Sequence, residues 1–150
     1  MINEIKGNAL NVECDVLAHQ TNYFGVMGGG IAFQIRKQLL SKQNFDDYQK
    51  YCNELKENAL GTMQILTIDS GKQIANLFGQ YDWNTDYNAL NKSMKLLEEY
   101  ARTKTEHQTV VIPGYIGCGI AGGDWDIVYN EIIKPIFEKS SVNLTIVYFE

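Results

Sequence analysis

The chain has little with which to hold a metal or a disulfide frame. Cys14, Cys52 and Cys118 are odd in number, widely spaced and without a CxxC pair, a pattern of reduced cytosolic thiols rather than of a disulfide scaffold or a zinc site. Two histidines, His19 and His107, are too few for a histidine-rich metal cluster. No apolar run approaches the roughly 18 to 20 residues of a membrane-spanning helix. The opening Met1-Ile2-Asn3-Glu4 also lacks the basic, then apolar order of a secretion signal. The expectation is therefore a cytoplasmic protein with no metal, no other cofactor and no membrane partner. Basic residues are in deficit, 13 against 18 acidic ones for a net charge of −5, so the phosphate attraction that supports binding to a nucleic-acid polymer is missing as a bulk property. Only two prolines accompany 45% hydrophobic and 21% charged residues, which excludes disordered and collagen-like classes. A length of 150 residues gives room for one domain, 1–150, expected to fold alone and to act as a monomer.

What is present is glycine, and most of the 13 glycines fall into two short stretches, Gly25 to Gly30 and Gly114 to Gly123. Each stretch follows an apolar run and precedes a helical pattern. Asp15 to His19 reads as a buried strand, and Ile31, Ile35 and Leu39 recur every four residues after the first stretch, predicting a helix over Ile31 to Leu40. A second, half-exposed helix is predicted over Asn44 to Lys56, ending before Gly61. Thr62 to Asp69 and Gln73 to Phe78 flank Ser70-Gly71 and read as a hairpin. The amphipathic pattern of Asp86 to Arg102 is the clearest in the chain. Thr109 to Ile112 predicts a strand entering the second glycine stretch, Trp125 to Phe137 a helix with Pro135 near its end, and Leu144 to Phe149 a closing strand. Alternating strands and helices with one inserted hairpin predict an α/β fold, a three-layer α/β/α sandwich.

Ligands of α/β sheets bind beyond the carboxyl ends of the strands, where a helix N-terminus offers unpaired N–H groups to an anion. Glycine there admits positive φ and lets the backbone approach a phosphate directly. Two such junctions predict two backbone clamps on one ligand with two adjacent phosphates. Tight turns or close helix–sheet packing are the plainer explanation of either stretch alone. Gly117-Cys118-Gly119-Ile120-Ala121-Gly122 matches GxGxxG, but fewer than about thirty residues follow it, too few for a dinucleotide-binding unit. No GxxxxGK[ST] motif is present, which removes the usual lysine for a nucleotide γ-phosphate.

His19-Gln20-Thr21-Asn22, Gly25-Val26-Met27-Gly28-Gly29-Gly30-Ile31-Ala32 and Ile112-Pro113 with Gly117 to Trp125 together resemble a macrodomain. The resemblance runs from Ile5-Lys6-Gly7 to Val147-Tyr148-Phe149-Glu150. It is narrowest to the small single-domain branch that holds ADP-ribose-1''-phosphate phosphatases, terminal ADP-ribose glutamate-glycohydrolases and phage-encoded relatives. It implies a central mixed sheet of about six strands and an ADP-ribose cleft at the strand ends. Gly28, Gly29, Gly30 and Ile31 would hold the distal ribose and one phosphate. Gly117, Cys118, Gly119 and Ile120, with Ala121 and Gly122, would clasp the diphosphate from the other side. Asn22 matches the asparagine beside the distal ribose. Asn8 stands where many members carry the aspartate that reads the adenine amino group, and an amide oxygen can accept that bond without charge. Tyr148 matches an aromatic beside the adenine, or is a strand-end core tyrosine.

For chemistry, His19 is the leading candidate, since an imidazole can give or take a proton near neutral pH; the alternative is a hydrogen-bonded core histidine. Asp124 and Asp86 could orient a water, or cap the helices they precede. Asp82, in the Gly79-Gln80-Tyr81-Asp82-Trp83 segment that could overhang the distal ribose, ranks below both. Cys118 lies at an anion site that could lower a thiol pKa, or it packs under the loop. His107 reads as an exposed loop residue. The resemblance implies removal of the 1''-phosphate from ADP-ribose-1''-phosphate or cleavage of a related ADP-ribosyl conjugate. The alternative is a non-catalytic binder of ADP-ribose or a derived signalling nucleotide. The glycohydrolase branch uses a lysine in the segment matching Phe78-Gly79-Gln80 and an aspartate where this chain has Ala121. Both are absent here, so the resemblance does not carry that mechanism over.

Overall fold

The computed structural model describes residues 1–104 and 108–150; the reading of His107 lies outside them. A six-stranded sheet runs through the middle in the order β1 (Ile2–Gly7), β8 (Asn143–Phe149), β7 (Thr109–Pro113), β2 (Val16–Gln20), β4 (Gln73–Leu77), β3 (Met63–Thr67). All neighbouring pairs are parallel except the β3–β4 hairpin, so the sheet is mixed and five carboxyl ends share one edge. A two-stranded ribbon, β5 (Gln80–Tyr81) and β6 (Asn84–Thr85), stands apart from it.

Side chains of successive strand residues point to opposite faces, and the central strands are apolar on both. Val16, Ala18, Val110 and Ile112 face α3 (Tyr87–Arg102) and the last helix. Leu17, Ile74, Val111 and Val147 face α1 (Gly30–Gln38) and α2 (Lys42–Leu55). The three-layer sandwich follows from that two-sided burial. α3 lays Leu90, Met94 and Leu97, all fully buried, on the sheet. Its N-cap, Asp86, accepts from Ala89 N at 3.0 Å.

Two elements depart from the sequence expectation. β1 is an edge strand whose Asn3, Glu4, Ile5 and Lys6 are exposed, and such a half-polar edge leaves a weak periodic signal. The predicted helix from Trp125 is α4 (Trp125–Ile127), a π-helical stretch (Val128–Ile133) and α5 (Lys134–Phe137). Pro135 cannot donate to the carbonyl four residues back and its ring crowds it. The widened π register, one residue per turn looser, lies directly ahead of that proline. No helix among the described residues is long and apolar enough to cross a membrane.

The strand order positions the site. β2 leads through α1 and α2 toward β4 on one side, while β7 leads to β8 on the other. Between the carboxyl ends of β2 and β7 the connections part, and that divergence opens a crevice.

Candidate functional site

A cleft of about 1000 Å³ occupies this crevice. Its walls are the loop after β2, residues 21–29, and the loop after β7, residues 114–124. At one end it reaches Asn8, Leu10 and Phe149, beyond β1 and β8; at the other it reaches Gln80 and Trp83 of the small ribbon.

The first loop is held from below by α2. Tyr48, fully buried, meets Thr21 Oγ1 at 3.0 Å and donates to Asn22 O at 2.8 Å. Burial pushes its hydroxyl pKa up, so it stays a neutral donor. Asn22 lines the cleft, but its amide works on the loop itself, donating to Val26 O at 2.9 Å and accepting from Phe24 N at 3.0 Å. The loop delivers the chain to α1, whose N-cap is Gly29 with no side chain to cap it. Gly30 follows at φ +58°, in the left-handed region where a Cβ is costly. The N–H groups of Gly30, Ile31 and Ala32 therefore meet no internal acceptor among the described residues. A helix end left with orphan donors is an anion site.

The second loop is tied down by a relay. Gln20 Nε2 donates to Thr85 Oγ1 at 3.0 Å, and Thr85 Oγ1 donates to Gly117 O at 2.6 Å. Gly123 N and Thr85 N donate to Gly117 O and Ala121 O. Gly119, Ile120 and Ala121 keep their N–H groups free of acceptors among the described residues. Ile120 reaches across: a Cβ on Gly29 would stand 2.9 Å from Ile120 Cδ1. The two loops thus come together over the cleft, and each wall carries a run of three unpaired backbone amides. Among the described residues no charged side chain lines the space, although the chain carries a net charge of −5. Among the described residues no three His, Cys, Asp or Glu side chains converge to hold a metal ion.

Of the expected ligand-binding residues, Asn8, Asn22, Gly28, Gly29, Gly30, Ile31, Gly117, Gly119, Ile120 and Ala121 meet around the cleft. Cys118, Gly122 and Tyr148 do not line it. The Cys118 thiol turns to Ile116 O at 3.4 Å, and burial, with Asp124 nearby, pushes its pKa up to about 11. That is the opposite of an activated thiolate. The Tyr148 ring lies directly against Gly114, where a Cβ would collide with it, and its hydroxyl donates to Glu4 Oε1 at 2.6 Å. Tyr148 braces the second loop from behind. Strand alternation puts its neighbour Phe149 in the cleft instead. Asn8 spends its oxygen on Leu10 N at 3.0 Å, capping a short 3-10 turn, so its amide hydrogens are the freer half.

The three residues expected to do chemistry lie elsewhere. His19 is fully buried, opposite Asn76 in the β2–β4 pairing. Asn76 donates to Gln64 Oε1 at 3.1 Å, so its Oδ1 accepts from His19 Nε2 at 2.7 Å. The ring is therefore the Nε2–H tautomer, and Nδ1 is buried without a partner. Burial pulls its pKa down to about 4. Asp124 is exposed and caps its helix through Asp126 N at 2.9 Å. Asp86 caps α3 as described, also outside the cleft. Replacing Asp86 with alanine is expected to lower stability by about 1 kcal/mol, read as a drop of about 2 to 4 °C in the melting midpoint.

Sequence reasoning did not single out Gln20, Tyr115 or Phe149, and of the segment from Gly79 to Trp83, expected to overhang the distal ribose, it named only Asp82 as a candidate; Gln20, Gln80, Trp83, Tyr115 and Phe149 all line the cleft. Phe149 was legible from period-two alternation with Val147. The ribbon that carries Gln80 and Trp83 is too short to leave a pattern.

No family model matches the chain. It is 30% identical to an uncharacterized 17.5 kDa protein from the tk-vs intergenic region of Enterobacteria phage T4, covering 98% of this chain and 94% of that one. It is 24% identical to the DNA ADP-ribosyl glycohydrolase of Mycobacterium tuberculosis over 97% of its own length, and spans 42% of that protein. Among solved structures it is similar to the macrodomain of Mycobacterium tuberculosis DarG, with a TM-score of 0.84 and 25% identity, covering 98% of this chain and 97% of the other.

Proposed function

We propose that this chain, which has the macrodomain fold, binds one ADP-ribosyl group per chain in the cleft and acts as a hydrolase on an ADP-ribosyl conjugate. The observation that carries the reading is the pair of unpaired amide runs, Gly30 to Ala32 and Gly119 to Ala121, on residues that line one cleft, with no charged side chain among the described residues of its lining. With no cation among the described residues of the lining, such local donors are what an acidic protein has to hold a diphosphate. The adenosine half extends toward Asn8, Leu10 and Phe149, and the distal ribose toward Asn22, Gln20 and Gln80.

For the reaction class, the mycobacterial relative is a DNA ADP-ribosyl glycohydrolase. Hydrolysis at the distal anomeric carbon breaks its bond to the leaving group and forms a new bond to a water oxygen. The proton from water passes to the leaving group or to the ligand's own diphosphate, because the lining supplies no carboxylate and no imidazole among the described residues. Removal of a 1''-phosphate would instead concentrate charge on a phosphoryl group, with no lysine or arginine in the lining to meet it. The neutral cleft therefore favours the glycosidic conjugate over the phosphomonoester. The same neutrality favours, as a second reading, binding without turnover.

Calorimetry with ADP-ribose, together with product release from ADP-ribosylated DNA and from ADP-ribose-1''-phosphate, tests these statements. Saturable one-to-one binding is expected. Phe149→Ala should weaken it about tenfold through loss of base stacking, while Tyr148→Phe should change it less than twofold. Failure of ADP-ribose to bind the folded protein would sink the reading. Ribose cleavage supports the hydrolase, and binding with no product from either compound supports the binder.

A further inference from the structure

At the end of the cleft assigned to the adenosine half, the hydrogen-bond acceptors are already engaged and the donors are not. β1 and β8 finish side by side there, with Gly7 opposite Phe149 and Glu150 N donating to Gly7 O at 3.2 Å. Asn8 therefore leaves the end of β1 beside Phe149, which lines the cleft and is 84% exposed. Leu10 and Val147, both buried, add an apolar wall. An exposed ring next to such a wall is a stacking place for a planar base, and what remains to be read is the edge of that base.

Asn8 Oδ1 accepts from Leu10 N at 3.0 Å. A backbone N–H only donates, so this bond fixes which end of the amide is oxygen and leaves Nδ2, with its two hydrogens, as the unpaired half. The N–H of Ala9, the next residue of the lining, has no acceptor among the described residues. The nearby carbonyls are engaged: Asn8 O accepts from Asn11 N at 2.9 Å, and Val147 O from Gly114 N at 2.8 Å. Ala9, Leu10, Val147 and Phe149 bring no side-chain acceptor of their own. Two donors from consecutive residues thus stand at this end without a free side-chain acceptor beside them.

Purines differ in what they offer such a pair. A 6-oxopurine presents two neighbouring acceptors, O6 and N7, whereas adenine presents N7 next to an amino group that itself needs an acceptor. Against two donors the first base makes two bonds. The second makes one and sets its amino hydrogens against those of Nδ2. A carboxylate at position 8 would read the opposite way, because it only accepts. We propose that Asn8 Nδ2 and Ala9 N select a 6-oxopurine over adenine at this end of the cleft. The selection rests on the reading of the cleft as a site for a nucleoside-diphosphate-ribosyl group, and it names the base that the preferred group carries. ADP-ribose remains a ligand, held by one of the two bonds.

The experiment is calorimetry on wild type and Asn8→Asp with ADP-ribose and inosine diphosphate ribose, which differ at the six-position edge of the base. Asn8→Asp keeps an oxygen for Leu10 N, so the turn that positions residue 8 is retained, and a thermal melt checks this. Wild type is expected to bind the inosine compound about fivefold more tightly, the worth of one hydrogen bond. Asn8→Asp should reverse the order to about fivefold in favour of ADP-ribose. The added charge weakens both ligands and cancels in their ratio. Wild type binding ADP-ribose as tightly as the inosine compound, or more tightly, overturns the selection and leaves the ADP-ribosyl reading standing. A ratio that is the same in both proteins also overturns it, since the preference then does not pass through residue 8. Absence of binding by both compounds in folded wild type overturns the ADP-ribosyl reading itself, and the selection with it.

Discussion

Replacing Gly29 with aspartate is expected to move stability and ligand binding in opposite directions. Gly29 is the N-cap of α1 at φ −148° and ψ 162°, an extended conformation that aspartate adopts freely and that N-caps require. Its carboxylate would accept from the free N–H groups at the start of the helix and lie favourably against the helix dipole. Relative to glycine the gain is a few tenths of a kcal/mol from capping and about 0.3 to 1 kcal/mol from the dipole. The only obstacle is the far end of Ile120, a side chain 78% exposed and free to turn aside. The folded protein should therefore melt at the same temperature or slightly higher.

The same carboxylate would occupy the donors that we assign to a phosphate and set a negative charge beside it. Two unit charges about 4 Å apart at an effective dielectric constant of about 20 repel by about 4 kcal/mol. Even half of that, discounted for salt and side-chain movement, lowers affinity for ADP-ribose roughly thirtyfold, and the full value nearly a thousandfold. Calorimetry and a thermal melt on one preparation check both halves. Unchanged affinity in a protein that melts normally would mean that the diphosphate does not use the start of α1.

That variant isolates the part of the site most legible in the sequence. Glycine at a strand-to-helix junction has one conspicuous physical use, close approach of backbone donors, and both glycine stretches do border one cleft. The layers were legible for a similar reason. Val16 to Ala18 and Val110 to Ile112 are apolar without alternation, which is how a strand covered on both faces reads. Less legible were residues whose role depends on which way a side chain leaves the backbone. Tyr148 and Phe149 are adjacent aromatics, and only the period-two alternation of β8, which puts Phe149 on the face of Val147, separates the one that enters the cleft from the one that does not. Asp86 and Asp124 follow the same logic, since an acid just before a helix caps it unless something else turns it away. The segment from Gly79 to Trp83 could be placed near the distal ribose but not read as a ribbon, because two strands of two residues each carry no periodicity.

His19 shows most clearly where residue type misleads, and its burial has a consequence for pH that can be measured. In the unfolded chain its imidazole titrates near the ordinary 6.5; in the folded protein burial holds it at about 4. Between those values the unfolded state binds the extra proton and the native state does not. Stability therefore rises with pH through this window. Above about pH 6.5 the ring is neutral in both states and contributes no slope. As pH falls from 6.5 toward 4, wild type should lose about 1.4 kcal/mol per unit from this group alone, about 3 kcal/mol across the window. A loss of that size is a large share of the 5 to 15 kcal/mol typical of a folded domain.

His19→Gln offers the comparison. Glutamine can still donate to Asn76 Oδ1 and does not titrate, while every carboxylate and His107 remain common to both proteins and cancel in the difference. Denaturant unfolding at several pH values should give a wild-type curve steeper than the variant's by one proton between pH 6.5 and 4, and parallel to it above. Curves parallel throughout would show that the ring is not held neutral. Affinity for ADP-ribose and any turnover should stay within about threefold of wild type, because His19 acts inside the sheet layer and does not reach the cleft. Loss of activity with an unchanged stability profile would instead restore it to the chemistry.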